Sequence, residues 1–284
     1  MTAILPPSPR PFLASRSGGH GRITLLGAPL DRTGSFRPGA AGGPGGIRWA
    51  SDNLETYSPD LDRDLADIDL ADAGDLDLSA PGQVGALAAI AAATGNLLDA
   101  GALPIVLGGE HTIALGVARA TLRRHPEAVV VHLDAHADLR DDYLGETLSH
   151  ATWAYRLGEE AGFDRLLQFG IRSGLREDFA LARARCAHFD RNVVLTDAAR
   201  ALIGDRPVHL SLDVDVLDPS VLPGTGTPEA GGCTWRELAD FLTALRGARV
   251  VAVDVSELAP GLDPTGASSA VAAKLVRELA LLFG

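Results

Sequence analysis

The sequence predicts an α/β fold, a mostly parallel β-sheet with helices on its faces, and three observations carry that prediction. From Ile23 onward, short β-branched runs alternate with Ala/Leu/Arg-rich stretches, in the rhythm of repeated strand–helix units. Several candidate strands are apolar almost throughout, as strands buried on both faces are. Four of them run straight into acidic or imidazole side chains, and an open α/β sheet binds its ligands beyond the carboxyl ends of its strands.

In chain order, strands are expected at residues 23–26, 104–107, 128–133, 166–169, 192–195, 208–212 and 249–255. Helices are expected at 83–100, 113–124, 235–245 and 268–283, where apolar residues recur at helical spacing. The last should begin at a Ser268 or Ser269 cap. No internal repeat and no long Pro/Gly/Ser linker divides the chain. One domain is therefore expected over residues 22–284, after a flexible arm over residues 1–21 that is rich in Pro, Ser and Arg.

The chain has 284 residues, 46% of them apolar and 22% charged, an ordinary globular balance that excludes wholesale disorder. Its 25 Lys and Arg stand against 37 Asp and Glu, for a formal charge of -12. That balance argues against nucleic acid and membrane partners and favours a cationic small molecule. The nearest thing to a long apolar run, residues 84–93, falls well short of the roughly 20 residues that a membrane span needs. Cys186 and Cys233 are too few for a disulfide framework, and residues 1–21 lack the apolar stretch of an export signal. A cytoplasmic location is expected.

The chemistry lies in four strand-end segments: Gly108-Gly109-Glu110-His111, Asp134-Ala135-His136-Ala137-Asp138, Asp213-Val214-Asp215 and Asp254-Val255-Ser256-Glu257. Side chains two apart on a strand share a face, so Asp134 projects with His136 and Asp213 with Asp215, and Asp138 joins if the backbone stays near extended. Such a cluster cannot stay ionised and unpaired in a partly buried crevice, and a divalent cation resolves the conflict. With His111 added there are two imidazoles and four carboxylates, more donors than one tetrahedral zinc takes but suitable for two metals sharing bridging carboxylates. Oxygen-rich ligation favours a harder ion, and Mn²⁺ satisfies it better than Zn²⁺. Taken singly, each piece has an ordinary reading. Asp-x-Asp at a strand end is commonly an Asx turn, a lone histidine is commonly a cap or core residue, and Gly-Gly signals a tight turn. Asp218-Pro219 reads as a turn.

These segments, together with Ser211-Leu-Asp-Val-Asp-Val-Leu-Asp-Pro219, Gly224-Thr-Gly-Thr-Pro-Glu229, Ser35-Phe-Arg-Pro-Gly39, Gly43-Pro44 and Glu257-Leu-Ala-Pro260, resemble the signature motifs of the arginase/agmatinase (ureohydrolase) family over nearly all of the chain after the arm. Glu110 stands where many relatives have Asp. The resemblance implies a three-layer α/β/α sandwich around a mostly parallel sheet of about eight strands, assembled as a homo-oligomer, a trimer or hexamer. It implies two Mn²⁺ per subunit, one held by His111, Asp134, Asp138 and Asp213, the other by Asp134, His136, Asp213 and Asp215, with Asp134 and Asp213 bridging. It further implies three catalytic residues: Asp138 as a metal ligand that also moves protons, Glu257 as the guanidinium acceptor, and His150 as a proton shuttle.

The reaction implied is hydrolysis of a small guanidino substrate. Residues 139–146 read Leu-Arg-Asp-Asp-Tyr-Leu-Gly-Glu, and Asp141, Asp142 and Glu146, if they face the pocket, would attract a terminal ammonium and repel a carboxylate. Agmatine fits that best. Residues 53–59 and 149–152 also resemble agmatinase segments more than arginase ones. Formimidoylglutamase is an alternative, because Arg172 at a strand end could receive a substrate carboxylate. Guanidinobutyrase or arginase activity and a non-catalytic metal-binding relative are further alternatives, the last disfavoured because every ligand position, His150 and Glu257 are present.

Overall fold

The computed structural model describes residues 10–79 and 82–284. In chain order the elements are β1 (Arg16–Ser17), β2 (Ile23–Ala28), α1 (Gly43–Ser51), β3 (Tyr57–Ser58), β4 (Arg63–Asp64), β5 (Leu70–Asp75), α2 (Gly82–Asp99), β6 (Leu103–Gly108), α3 (Ile113–Arg124), β7 (Val129–Leu133), α4 (Trp153–Ala161), β8 (Leu166–Phe169), α5 (Arg176–Arg185), β9 (His188–Phe189), α6 (Asp197–Ile203), β10 (Val208–Asp213), α7 (Trp235–Ala244), β11 (Val250–Ser256) and α8 (Ala267–Phe283). Nine strands form one sheet in the order β1-β5-β2-β6-β11-β10-β7-β8-β9, and every pairing within it is parallel. β3 and β4 pair with each other, antiparallel and apart from that sheet.

The apolar runs make the layers. In β7, Val129, Val131 and Leu133 pack into one core with Ile47 of α1 and Leu275 of α8. Val130 points the other way, into a core with Leu115 of α3 and Leu157 of α4. Alternate side chains of one strand thus feed two helical layers, the arrangement that buries a parallel sheet on both faces. No helix among the described residues is long and apolar enough to cross a membrane.

Three local expectations give way to the structure. Residues 192–195 form no strand, and Val194 is 54% exposed. The segment leads instead to Thr196, whose side chain caps α6 by accepting from the Ala199 amide. β5 was not expected because its sequence, LADAGD, looks polar. Its Asp72 is only 1% exposed and takes a paired contact from the Arg48 guanidinium at 2.8 and 2.9 Å. α8 starts after Gly266, whose φ is 76°, rather than at a serine cap. Ser268 in its first turn donates to Asp263 and accepts from the Gly224 amide.

Of the segment expected to be a flexible arm, residues 1–9 lie outside the described residues. From there on the backbone is anchored. Arg16 and Ser17 pair with β5, Phe12 is 1% exposed, and its amide donates to Asp72 Oδ2 at 2.9 Å.

What positions the site is strand order. The four strands whose ends carry the polar motifs, β6, β11, β10 and β7, are consecutive neighbours in the sheet. Neighbouring strands lie about 4.8 Å apart, so side chains from all four reach one crevice.

Candidate metal centre and active site

Both dyads leave their strands through a side-chain-closed turn. Asp134 Oδ1 accepts from the His136 amide at 2.6 Å, and Asp213 Oδ1 accepts from the Asp215 amide at 2.8 Å. The ordinary reading of Asp-x-Asp, an Asx turn, is therefore correct, and Asp-x-His closes in the same way. It also serves the chemistry, because one carboxylate oxygen is held by the backbone and the other is left to face the crevice. Asp138 does not get there on an extended backbone, as the strand argument required. Its φ is 51°, and that of Glu257 is 67°. The glycines before His111 act through close approach rather than through turn formation. A Cβ on Gly109 would lie 1.9 Å from the Leu30 carbonyl oxygen.

The side chains converge in two groups. His111 Nδ1 lies 2.9 Å from Asp134 Oδ2, 3.3 Å from Asp138 Oδ2 and 3.4 Å from Asp213 Oδ2. His136 Nδ1 lies 2.9 Å from Asp215 Oδ2 and 3.5 Å from Asp134 Oδ1. Asp134 thus belongs to both groups. His111, Asp134, Asp138, Asp213 and Asp215 are all buried.

A single imidazole nitrogen carries at most one proton, yet three carboxylate oxygens face His111 Nδ1. Asp215 Oδ2 is buried with no hydrogen-bond partner, even though His136 Nδ1 stands beside it. Lone pairs that point at a shared space without donors between them are what a cation site looks like. Titration agrees. Burial and the neighbouring Asp215 and Asp134 push the Asp213 carboxyl well above its ordinary range. Burial alone would lower the His111 imidazole, but its contacts with Asp134, Asp138 and Asp213 raise it well above 6.5. Metal and protons compete for the same atoms, and a divalent cation would relieve the burial and crowding that drive these shifts. The donor set fits divalent ions with oxygen-rich ligation.

Behind the ligands lie residues to which the sequence reading gave no role, although Ser211 and Asp254 fall within the motifs it quoted. His111 Nε2 is 2.9 Å from Ser211 Oγ. Ser211 donates to Asp254 Oδ1 at 3.0 Å, and His209 Nε2 stands 2.5 Å from Asp254 Oδ2. Because the serine proton goes to Asp254, Ser211 accepts from His111 Nε2–H, which leaves the Nδ1 lone pair free for a metal. On the other flank, Gln168 Nε2 donates to the Ala137 carbonyl and contacts His132 Nδ1, while His132 Nε2 contacts Asp134 Oδ2 at 2.8 Å. His132 carried no motif signal; a buried histidine two residues before a candidate ligand was the only clue available.

The cluster opens into a cavity of about 200 Å³, whose lining includes His136, Asp138, His150, Asp213 and Glu257. Glu257 Oε1 accepts from the His111 amide at 2.7 Å, and burial pushes its carboxyl up to about 8. His150 sits on the rim. Its amide donates to Thr33 Oγ1 and its Nδ1 lies 3.2 Å from the same hydroxyl, with Tyr143 edge-on at 5.3 Å. Glu110 organises this wall by accepting from the amides of Arg32 and Thr33, from Thr112 and from Gln83.

The loop acids do not face this cavity. Asp141 is 73% exposed and paired with Arg156, and Asp142 accepts from the Gly145 amide. Glu146 borders a separate hollow with Arg32 and Tyr143. Arg140 and Asp178 line the cavity beside the cluster instead. Arg172 does not line it. Its guanidinium donates to the carbonyls of Asp215, Glu229, Gly170 and Val216, so the feature that favoured a formimidoylglutamase is committed elsewhere.

Comparison with known proteins agrees with this geometry. Residues 21–282 match the arginase family. The agmatinase of Bacillus anthracis is 40% identical over 263 residues, 91% of each chain. That of Bacillus subtilis is 40% identical over 277 residues, 96% of each chain. The crystal structure of the agmatine ureohydrolase of Thermoplasma volcanium superposes with a TM-score of 0.86 at 29% identity, covering 97% of this chain and 94% of that one.

Proposed function

The chain belongs to the arginase family and is a ureohydrolase acting on guanidino C–N bonds, and from that premise we propose that it hydrolyses agmatine to putrescine and urea with two Mn²⁺ per subunit. The observation that carries the reading is the convergence of two ligand groups that share Asp134 in one cavity with Glu257. His111, Asp134, Asp138 and Asp213 would hold one ion, and Asp134, His136, Asp213 and Asp215 the other. When bound, such a pair supplies water activation at neutral pH and stabilises the charge that develops on attack at the guanidinium carbon.

The chain's own residues do the rest. Glu257 spends Oε1 on the His111 amide, and Oε2 is left to accept guanidinium N–H bonds, which aims the carbon at the cluster. Asp138 takes the proton of the attacking water and delivers it to the departing nitrogen, so that guanidinium and water become urea and a protonated amine. His150 exchanges protons between the cavity and solvent from its place on the rim. Asp178 offers a carboxylate to the terminal ammonium of agmatine, and the relatives named above support that substrate. A cytoplasmic homo-oligomer, trimer or hexamer, completes the proposal.

Arg140 favours a second reading, because a guanidinium on the cavity wall suits a guanidino acid such as 4-guanidinobutyrate. The test is urea release by Mn²⁺-loaded protein from agmatine, arginine and 4-guanidinobutyrate, with ammonia release from formiminoglutamate alongside. Agmatine should give the highest kcat/KM. A higher value for guanidinobutyrate would install the second reading, and no product from any substrate would sink both.

A further inference from the structure

Trp153 is a fully buried side chain, at 0% exposure among the largest of the described residues, and its polar atom has an unusual partner. Its indole Nε1–H donates to Asp138 Oδ2 at 2.7 Å. That is the oxygen that lies 3.3 Å from His111 Nδ1. The backbone of the same helix turn holds the other end of the residue, with the Tyr155 amide donating to the Asp138 carbonyl at 3.2 Å. Asp138 is thus gripped at carbonyl and carboxylate by the first turn of α4 while its own φ stays at 51°. The indole is also wedged between imidazoles, 4.8 Å from His111 and 4.9 Å from His132, so it has little room to turn.

We propose that Trp153 is a positioning residue for Asp138: its N–H holds Oδ2 on the His111 side of the cluster, so that Oδ1 is the oxygen presented to the cavity. The two oxygens of a carboxylate exchange places by a half-turn about the terminal bond, which has only a broad, low preference of its own. A donated N–H from a locked ring removes that freedom. A residue that must take a proton on one side and release it on another needs a fixed oxygen, because small misplacements of a reacting group are costly. The inference rests on the reading of Asp138 as the proton carrier.

Trp153→Phe keeps most of the ring and removes the donor. In the Mn²⁺-loaded enzyme kcat should fall about ten- to a hundredfold, with KM within about twofold of wild type and metal content unchanged. The loss should vanish in an Asp138→Asn background, because the two changes act on one function. Additive losses, or a full kcat in Trp153→Phe, would overturn the proposal. If Asp138→Asn itself turns over normally, the proton-carrier reading fails instead. A readout that does not depend on the folding of the tryptophan variant is the indole ¹⁵N–¹H resonance in metal-free protein. Assigned by elimination with Trp49→Phe and Trp235→Phe, the Trp153 signal should shift in Asp138→Asn while the other two stay in place. An unmoved signal would also overturn the proposal.

Discussion

Asp134 and Asp213 reach the cluster from the ends of adjacent parallel strands, whereas Asp138 and Glu257 reach it from loops in left-handed backbone. Asp213 has φ −79° and ψ 129°, ordinary for extended chain. Asp138 and Glu257 have φ of 51° and 67°, a region that costs a residue with a Cβ about 1–2 kcal/mol. In the proposed mechanism the difference matches a division of labour, in which the strand-end carboxylates only hold ions while Asp138 and Glu257 also meet water or substrate. A sheet edge places carboxylates side by side without strain. Turning a carboxylate inward across the crevice toward a substrate requires a backbone conformation that only the surrounding hydrogen bonds sustain.

The sharpest way to break this comparison is at the strand-end carboxylates. Asp213→Ala removes an oxygen shared by the cluster, and bound Mn²⁺ measured by elemental analysis should fall together with a loss of at least about 10³-fold in turnover. Retained metal would show that the strand ends are not the ion-holding half. Next in size is Asp138→Asn, which keeps an oxygen donor in place. Metal content should stay above that of Asp213→Ala, while kcat drops about 10²–10⁴-fold, the usual worth of general acid–base catalysis.

Glu257→Gln tests the other loop carboxylate. Losing a charge-assisted pair to the guanidinium, worth about 1.5–3 kcal/mol, should raise KM at least tenfold with a smaller change in kcat. The same variant has a pH signature in metal-free protein. Burial raises the Glu257 carboxyl to about 8, so the folded chain holds a proton there that the unfolded chain releases near 4.5. Stability from this group is complete below about pH 4.5 and is lost as pH rises toward 8. Thermal unfolding of Glu257→Gln should therefore gain on wild type as pH increases across that window. Parallel curves would mean that the buried carboxylate is not under strain of charge.

How much of this was legible in the sequence depends on where the partner lies. The strand-end motifs were readable because ligand and strand are contiguous, and the apolar runs of β6, β7, β10 and β11 announce themselves. β5 was hidden because a buried Asp72 is compensated by Arg48, 24 residues away. The 192–195 run looked like a strand because four residues carry no record of whether a neighbouring strand is free to pair. In the site, Asp254 and His209 are 45 residues apart, and Trp153 meets Asp138 over 15. Contacts of that kind are made by the fold, and local pattern does not encode them. The acids at 141 and 142 misled for a related reason, since a loop's composition does not say which way its side chains turn, and Arg140 between them and the ligand faces inward.

The smallest effect isolates the backbone cost from the chemistry. Ala14 has φ 58° in a turn where the Ser15 amide donates to the Phe12 carbonyl at 3.0 Å, exposed and remote from the cavity. Ala14→Gly removes the Cβ clash, a gain of about 1–2 kcal/mol. Against that stands the greater freedom of glycine in the unfolded chain, about 0.5–1 kcal/mol. The net should be a rise in Tm of a few degrees at most, with kcat/KM for agmatine unchanged. Because this position carries left-handed backbone without any functional side chain, it measures what the conformation costs by itself. If Ala14→Gly lowers Tm, left-handed backbone is not a burden in this protein, and the special standing given above to Asp138 and Glu257 loses its energetic basis.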